Sequence, residues 1–257
     1  MIDGLVSIIM PSWNTAKWIG ESIGSVINQT YQNWELIIVD DCSTDNTDEV
    51  VQSYNDKRIK YLKNEVNSGA ALTRNRAIRE AQGEWVAFLD SDDLWAPQKL
   101  EKMLEFMTTN GYSFAYHEYE KIDEESKPLN IYVSGPKVVT KRKMYNYGYP
   151  GCLTFIYSAK KHGLIQVKDI KKNNDYAILL KLCKLDNCYL LNENLASYRI
   201  RKKSISHDKL SKKLKSHYDL FHICDEKSAI VAFWLACWNM WFGVLKKRKY
   251  EKQRNYD

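Results

Sequence analysis

The sequence predicts an α/β protein: a mostly parallel sheet flanked by helices, followed by a helical C-terminal extension. Three observations predict it. Over the first 110 residues, runs with a two-residue period alternate with runs whose apolar residues recur every three or four positions. The order strand, helix, strand calls for parallel strands joined by crossovers. Polar and acidic residues recur where the strand-like runs end, the edge at which open α/β sheets bind ligands.

Taken in order, "LVSIIM" (5–10), "WELIIVD" (34–40), "IKYLK" (59–63) and "EWVAFLD" (84–90) are rich in Val, Ile and aromatics and read as strands. Between them, "AKWIGESIGSVINQ" (16–29), "TDEVVQSYN" (47–55) and "AALTRNRAIREAQ" (70–82) read as helices. A further helix, 97–111, starts at Pro97, where a first turn tolerates proline, and stops at Gly111. From 112 to 160 the pattern is looser and strand-like, clearest in "YSFAYHEYEKI" and "CLTFIYS". "NNDYAILLKLCKL" (173–185) is helical, and "CYLLNENLASYRIRKKSIS" (188–206) reads as two short strands and a loop. A helix and then a second helix or anchor are expected beyond 206.

With 257 residues, 44% of them hydrophobic, the chain is long enough for one large or two small cored domains, which excludes a disordered protein. The N-terminal apolar run lacks a basic n-region and stops at Pro11, so a cytosolic start is expected. Six cysteines (42, 152, 183, 188, 224, 237) form no CxxC pair and support neither a zinc site nor a disulfide framework. The net charge of +6 is uneven: from Arg201 onward 14 Lys/Arg face 6 Asp/Glu, a net +8, whereas the first 200 residues carry −2. Such a tail suits nucleic acid or an anionic membrane, and composition alone does not choose.

The most unusual stretch is "FLDSDDLW" (88–95). Asp90 and Asp92 lie two apart at a strand end, so alternation predicts that both point one way with Ser91 opposite. Such a pair is a clamp for a hard cation, Mg²⁺ or Mn²⁺, which needs one or two carboxylates plus phosphate oxygens. A solvated acidic turn, with Asp93 capping the next helix, fits the same residues. Asp40 and Asp41 end the second strand and Ser12 and Asn14 follow the first, although turn formation accounts for each of these alone.

"VSIIMPSWN", "SVINQTYQNWELIIVDDCSTDNT", "NSGAALTRNRAI" and "GEWVAFLDSDDLW" resemble, in order and spacing, the nucleotide-sugar-binding half of family 2 glycosyltransferases. These have the Rossmann-like GT-A fold. The resemblance is strong over residues 5–110, weaker to about 206, and greatest to enzymes that build bacterial cell-surface polysaccharides. It implies a UDP-sugar donor, an inverting hexosyl transfer, a divalent metal, and a saccharide or lipid-linked saccharide as acceptor. Pro11 and Trp13 would border the nucleobase, with Ser12, Asn14 and Asp40 along the same edge, and Asp41 would accept from uracil N3–H. Gly69 and Arg74 would border the nucleotide, although an arginine at a helix start more often lies on the surface. Asp90 would approach the ribose, Ser91 would turn away, and Asp92, beside Asp90, would hold the metal. An Asp at a helix start is the general base in that family; Asp175 matches it by position, with Asn174 in place of the usual Glu, and a helix N-cap is its ordinary alternative. Arg201 stands in "YRIRKKSIS" (198–206) where relatives often carry His; it would neutralise phosphate without ligating metal. His207, His217 and His222 keep no fixed spacing to the acidic residues and read as surface or core.

The resulting division is a catalytic domain over 1–205, with a donor half (1–110) and an acceptor-side half (111–205), then a basic, aromatic region over 206–257. In that region "AIVAFWLACWNMWFGVL" (229–245) would make a helix of roughly 26 Å, short of a ~30 Å hydrocarbon core. Trp234, Trp238 and Trp241 form a stripe and "KKRK" (246–249) follows, which suits a helix lying on an anionic membrane at the inner face of the cell membrane. Burial against the catalytic domain or a homodimer contact suits it equally; no feature fixes the oligomeric state. Rival functions are a nucleotidyltransferase, which would carry a Gly-rich phosphate loop that "PSWNTAKW" is not, and a non-catalytic sugar-nucleotide or glycan-binding module, to which Asn174 leans. A nucleic-acid binder rests on the basic tail alone, and no nucleic-acid partner is expected.

Overall fold

The structure, a computed structural model, describes residues 1–201 and 210–253. Four parallel strands form its first half: β1 (Ile2–Ser12), β2 (Trp34–Asp40), β3 (Ile59–Lys63) and β4 (Gly83–Phe88), in the order β4-β1-β2-β3. They are joined by α1 (Ile19–Ile27), α2 (Thr47–Gln52) and α3 (Ala70–Arg79). Each of these elements falls where periodicity predicts it.

Alternation along the strands splits the core into two layers. Ile9, Ile37, Val39, Val86 and Phe88 face α3, while Ile8, Met10, Leu36, Ile38, Ala87 and Leu89 face α1 and the helix α4 (Lys99–Asn110). Both layers are apolar because helices cover both faces of a parallel sheet. Gly83 is required by close approach: a Cβ there would lie 2.5 Å from the Leu5 carbonyl oxygen.

Beyond β4 the sheet turns antiparallel. The pieces are β5 (Leu94–Trp95), β6 (Phe114–Ile122), β7 (Pro128–Val133), β8 (Val138–Val139), β9 (Ile156–Ser158), β10 (Cys188–Arg199) and β11 (Glu251–Gln253). Strand β9 joins β4 to β6 with antiparallel pairing on both sides, and the path continues through β7 to β11; β10 runs parallel to β6. The sheet is therefore mixed: parallel throughout its first 88 residues, antiparallel around β9, β7 and β11, and parallel again where β10 lies on β6.

Several boundaries differ from the sequence reading. Helix α4 begins at Lys99, two residues after Pro97, so Asp93 is not its cap. The two strands expected after 188 are one 12-residue strand, bent by register shifts around Asn194. The remaining helices are α5 (Lys141–Asn146), α6 (Ala159–His162), α7 (Asn174–Leu185), α8 (Leu210–Asp219) and α9 (Ala229–Tyr250). Helix α9 has 22 residues, because the helix runs on through the lysines beyond the apolar run. Among the described residues it is the one helix long and apolar enough to cross a membrane, by length and composition. Its small face is nevertheless packed: Ala232, Ala236 and Asn239 are fully buried, and Asn239 Nδ2 donates to Tyr176 Oη at 2.5 Å and to the Asn146 carbonyl at 3.0 Å. After it, β11 pairs with β7, and Lys121 bonds Glu251.

Candidate active site

The carboxylates of 88–95 are held apart. Strand β4 ends at Phe88, so alternation does not extend to Asp90 and Asp92; a turn takes over, with the Asp93 N–H donating to the Asp90 carbonyl at 3.0 Å. Asp90 Oδ1 accepts from Arg74 Nη2 at 2.6 Å, while Asp92 Oδ2 meets Arg201 Nε at 2.8 Å. Asp93, fully buried, accepts at 2.8 Å from the backbone N–H of Arg199. Ser91 is buried.

Burial and two like-charged neighbours push Asp93 well up, and burial likewise raises Asp92 against the Arg201 charge. Crowding is thus supported by three arginines, one of which, Arg74, is itself buried and not a surface residue. Its neighbour Cys152 Sγ lies 3.6 Å from Nη2, and burial raises that thiol, so it stays protonated. Arg199 escaped notice in the sequence because it reads as a strand-end charge. Its side chain is fully enclosed, donating to the Asp92 carbonyl (2.7 Å), Glu21 (2.8 Å) and Ser126 Oγ (2.8 Å).

At the first two strand ends, Ser12 is buried with its Oγ 2.8 Å from Thr15 Oγ1, and Trp13 is 55% exposed, its ring free to stack. Pro11 precedes them in β1. Asn14 adopts a left-handed backbone (φ 50°) and its Oδ1 accepts from the Thr44 N–H at 2.8 Å. Asp40 is fully buried and accepts from the Ser43 N–H and hydroxyl, so its carboxylate is spent on the local turn. Asp41 accepts from Asn64 Nδ2 (2.7 Å), the Ser68 N–H (2.8 Å) and the Gly69 N–H (2.8 Å). Three of about four lone-pair positions are then filled, leaving one. Gly69, at φ 82°, is the residue that lets the chain enter α3 in this way.

Asp175 lies in the first turn of α7, whose N-cap is Asn173, so it is not the cap. Burial raises its pKa, opposed by Arg74 and reinforced by Asp90, so the three groups act on one region. A cavity of 130 Å³ opens there, lined by Tyr147, Asn173, Asp175, Tyr176, Leu179 and His217 among others. His217, expected to be an ordinary surface or core histidine, has a buried Nδ1 without a partner, and burial depresses it to about 4. Asn173 Nδ2 and Asn174 Oδ1 are likewise buried and unpartnered. His207 and residues 202–206 of the "YRIRKKSIS" segment lie outside the described residues. His222 Nδ1 is bonded to the Lys227 carbonyl, away from these groups.

No group of three or more His, Cys, Asp or Glu among the described residues could hold a metal unaided. The donor set fits Mg²⁺ or Mn²⁺ only as hard cations usually bind beside phosphates, on one or two carboxylates completed by the ligand. All six cysteines are free, as the sequence implies.

A family model for glycosyl transferase family 2 matches residues 7–160. The chain is 42% identical over 208 residues to a putative teichuronic acid biosynthesis glycosyltransferase, TuaG, of Bacillus subtilis, covering 80% of this chain and 82% of that one. It is 40% identical over 222 residues to WfgD of Escherichia coli, a UDP-Glc:alpha-D-GlcNAc-diphosphoundecaprenol beta-1,3-glucosyltransferase, covering 86% of each. Among solved structures, S. aureus TarS 1–349 in complex with UDP-GlcNAc superposes with a TM-score of 0.72 at 21% identity, covering 95% of this chain and 74% of that one. The mannosyltransferase PcManGT of Pyrobaculum calidifontis, in complex with GDP-Man and Mn²⁺, superposes with a TM-score of 0.65 at 16% identity, again covering 95% and 74%. The family model and the 42% identity over four fifths of the chain agree, and the superpositions match the fold: the protein belongs to glycosyl transferase family 2, on a GT-A fold.

Proposed function

We propose that the chain is an inverting, metal-dependent transferase that moves a hexosyl group from a UDP-sugar to a hydroxyl of a lipid-linked saccharide, in the assembly of a bacterial surface polysaccharide. One observation carries this reading: Asp175, raised in pKa by burial, lies within electrostatic reach of Arg74 and Asp90, which pair at the end of β4. A carboxylate suited to act as base thus stands near enough to the strand ends to feel their charges, as a shared reaction site requires. The acceptor class is drawn from WfgD, whose substrate is a sugar on diphosphoundecaprenol.

In this mechanism Trp13 stacks on the uracil beside Pro11, and Asp41 takes the N3–H at its one remaining lone pair. Asp90 approaches the ribose. Asp92, with Asp90 beside it, would hold the divalent ion together with donor phosphate oxygens, and the ion would neutralise charge gathering on the departing diphosphate. Arg201 brings a permanent positive charge to the same place. Asp175 takes the proton from the acceptor hydroxyl as its oxygen bonds to the anomeric carbon. The bond from that carbon to the donor's phosphate oxygen breaks, and its electron pair leaves with UDP.

Residues 1–110 supply the donor side; 111–205 and the region from 206 supply the acceptor side. Helix α9 lies in the plane of the membrane's cytosolic face. Ile230, Phe233, Trp234, Trp238, Trp241 and Val244 are exposed on it, and Lys247, Arg248 and Lys249 follow. A full span would strip Ala232, Ala236 and Asn239 from the core and unpair β11, which argues for in-plane binding.

The test is a thermal-shift panel of UDP-, GDP- and CDP-sugars with and without Mn²⁺. A UDP-sugar with Mn²⁺ should stabilise most, by about 2.7 kcal/mol at a hundred times its Kd. Equal stabilisation in excess chelator would remove the metal from the reading, and preference for a GDP-sugar would remove the donor.

A further inference from the structure

A second, larger cavity adjoins the one at Asp175. It measures 360 Å³ and is lined by Tyr147, Tyr198, Ile200, Lys213, Lys246 and Lys247, with the Lys121–Glu251 pair. Two features make the cavities neighbours. Tyr147 lines both, and α8 runs along both, because Lys213 of the larger cavity and His217 of the smaller are one helical turn apart on one face. Gly243 of α9 allows this junction: a Cβ there would stand 2.9 Å from the Tyr147 ring.

The charge in the larger cavity is one-sided. Four lysines face one glutamate, and that glutamate, Glu251, is already bonded to Lys121. Lys246 Nζ donates to the Tyr149 carbonyl at 3.1 Å and lies 4.9 Å above the Tyr147 ring. Burial, with Lys121 and Lys247 nearby, holds it down at about 8 against the opposing charges of Glu251 and Asp175. Lys213 and Lys247 are exposed and meet no carboxylate among the described residues. The cavity is distinct from the donor edge. Tyr198 and Ile200 line it, whereas the alternating residues Arg199 and Arg201 turn to Asp92. Outward from it begins the exposed aromatic face of α9.

We propose that this cavity binds the diphosphate of the lipid-linked acceptor, through Lys213, Lys246 and Lys247, while the acceptor sugar occupies the cavity at Asp175. The inference rests on the lipid-linked acceptor reading and deepens it. A sugar diphosphate on a polyprenyl chain would then follow one track: sugar against Asp175 and His217, diphosphate among the lysines, and lipid along α9 into the membrane. The unpartnered Asn173 Nδ2 and His217 Nδ1 are the polar atoms available to sugar hydroxyls.

The full chain is titrated with inorganic pyrophosphate and with farnesyl diphosphate, each without metal and with and without saturating UDP. Both probes should bind alongside UDP, and Lys213→Gln with Lys247→Gln should weaken both by about tenfold or more, since each removes a charged hydrogen-bond donor. Both lysines are exposed, so the variant should melt as the wild type does. Displacement of the probes by UDP would assign the lysines to the donor and overturn the proposal. So would unchanged probe affinity in the variant, including the case in which it loses only its binding to phosphatidylglycerol vesicles. Wild-type protein that binds farnesyl diphosphate beside UDP but transfers no sugar would sink the transferase reading and leave the diphosphate site standing.

Discussion

The strand-end edge and the region around α7, α8 and α9 are built on opposite principles. At the strand ends nearly every polar group is already satisfied: Asp40 by Ser43, Asp41 by three donors, Asp90 by Arg74, Asp92 by Arg201, Asp93 by Arg199. Around α7, α8 and α9, polar atoms are buried without partners and lysines face a cavity without enough carboxylates. Buried polar groups cost little when paired and much when not. The strand-end edge is therefore held in shape by its own residues, while the region around α7, α8 and α9 keeps open valences that a ligand would fill.

The largest expected effect on stability separates these sides. Arg199→Met should destabilise the fold by about 3 kcal/mol or more, because it strands the Asp92 carbonyl and removes the charge opposing Asp93. Lys213→Gln and Lys247→Gln should each change stability by no more than about 0.5 kcal/mol. Urea unfolding measures both, and similar costs would erase the contrast.

A second effect lies in pH dependence. Burial, reinforced by Asp90, raises Asp175, so its proton is retained to higher pH than in an ordinary carboxyl group. A base must be deprotonated, so activity should rise with pH through a limb displaced above the usual carboxylate range and fall away as pH drops through it. Arg74→Gln removes the charge that opposes this, so the limb should move further up. A limb that stays put in kcat/KM profiles would disconnect Arg74 from Asp175. The smallest effect is at the membrane: Trp234→Ser with Trp238→Ser should weaken sedimentation with phosphatidylglycerol vesicles while leaving the melting temperature nearly unchanged, since both rings are exposed.

The same contrast explains what the sequence disclosed. The parallel half was legible because each strand, buried on both faces, is a short unbroken apolar run, and each crossover helix keeps its period. Its polar edge was legible as a set of positions, but not as pairs. Arg74 lies on a helix rich in charge, and only the packing of α3 beside the β4 turn shows that it is enclosed. The second half was less readable for physical reasons. "NEN" interrupts the apolar pattern of β10 where the strand bends, and β11 is a polar edge of three residues. Helix α9 divides its faces by size, with alanines and one asparagine inward and aromatics outward, so its apolar run conceals which side is packed. His217 had no sequence signal, since its place on the cavity beside Asp175 depends on how α8 packs in the fold.

In the proposed mechanism the two sides meet at Asp175. The most direct test is Asp175→Asn, with transfer from a UDP-sugar to a lipid-linked saccharide and UDP affinity measured on the same preparation. Transfer should fall by about 10²–10⁴-fold, the usual contribution of a general base, with UDP affinity kept. Near-normal transfer by the variant would contradict the account.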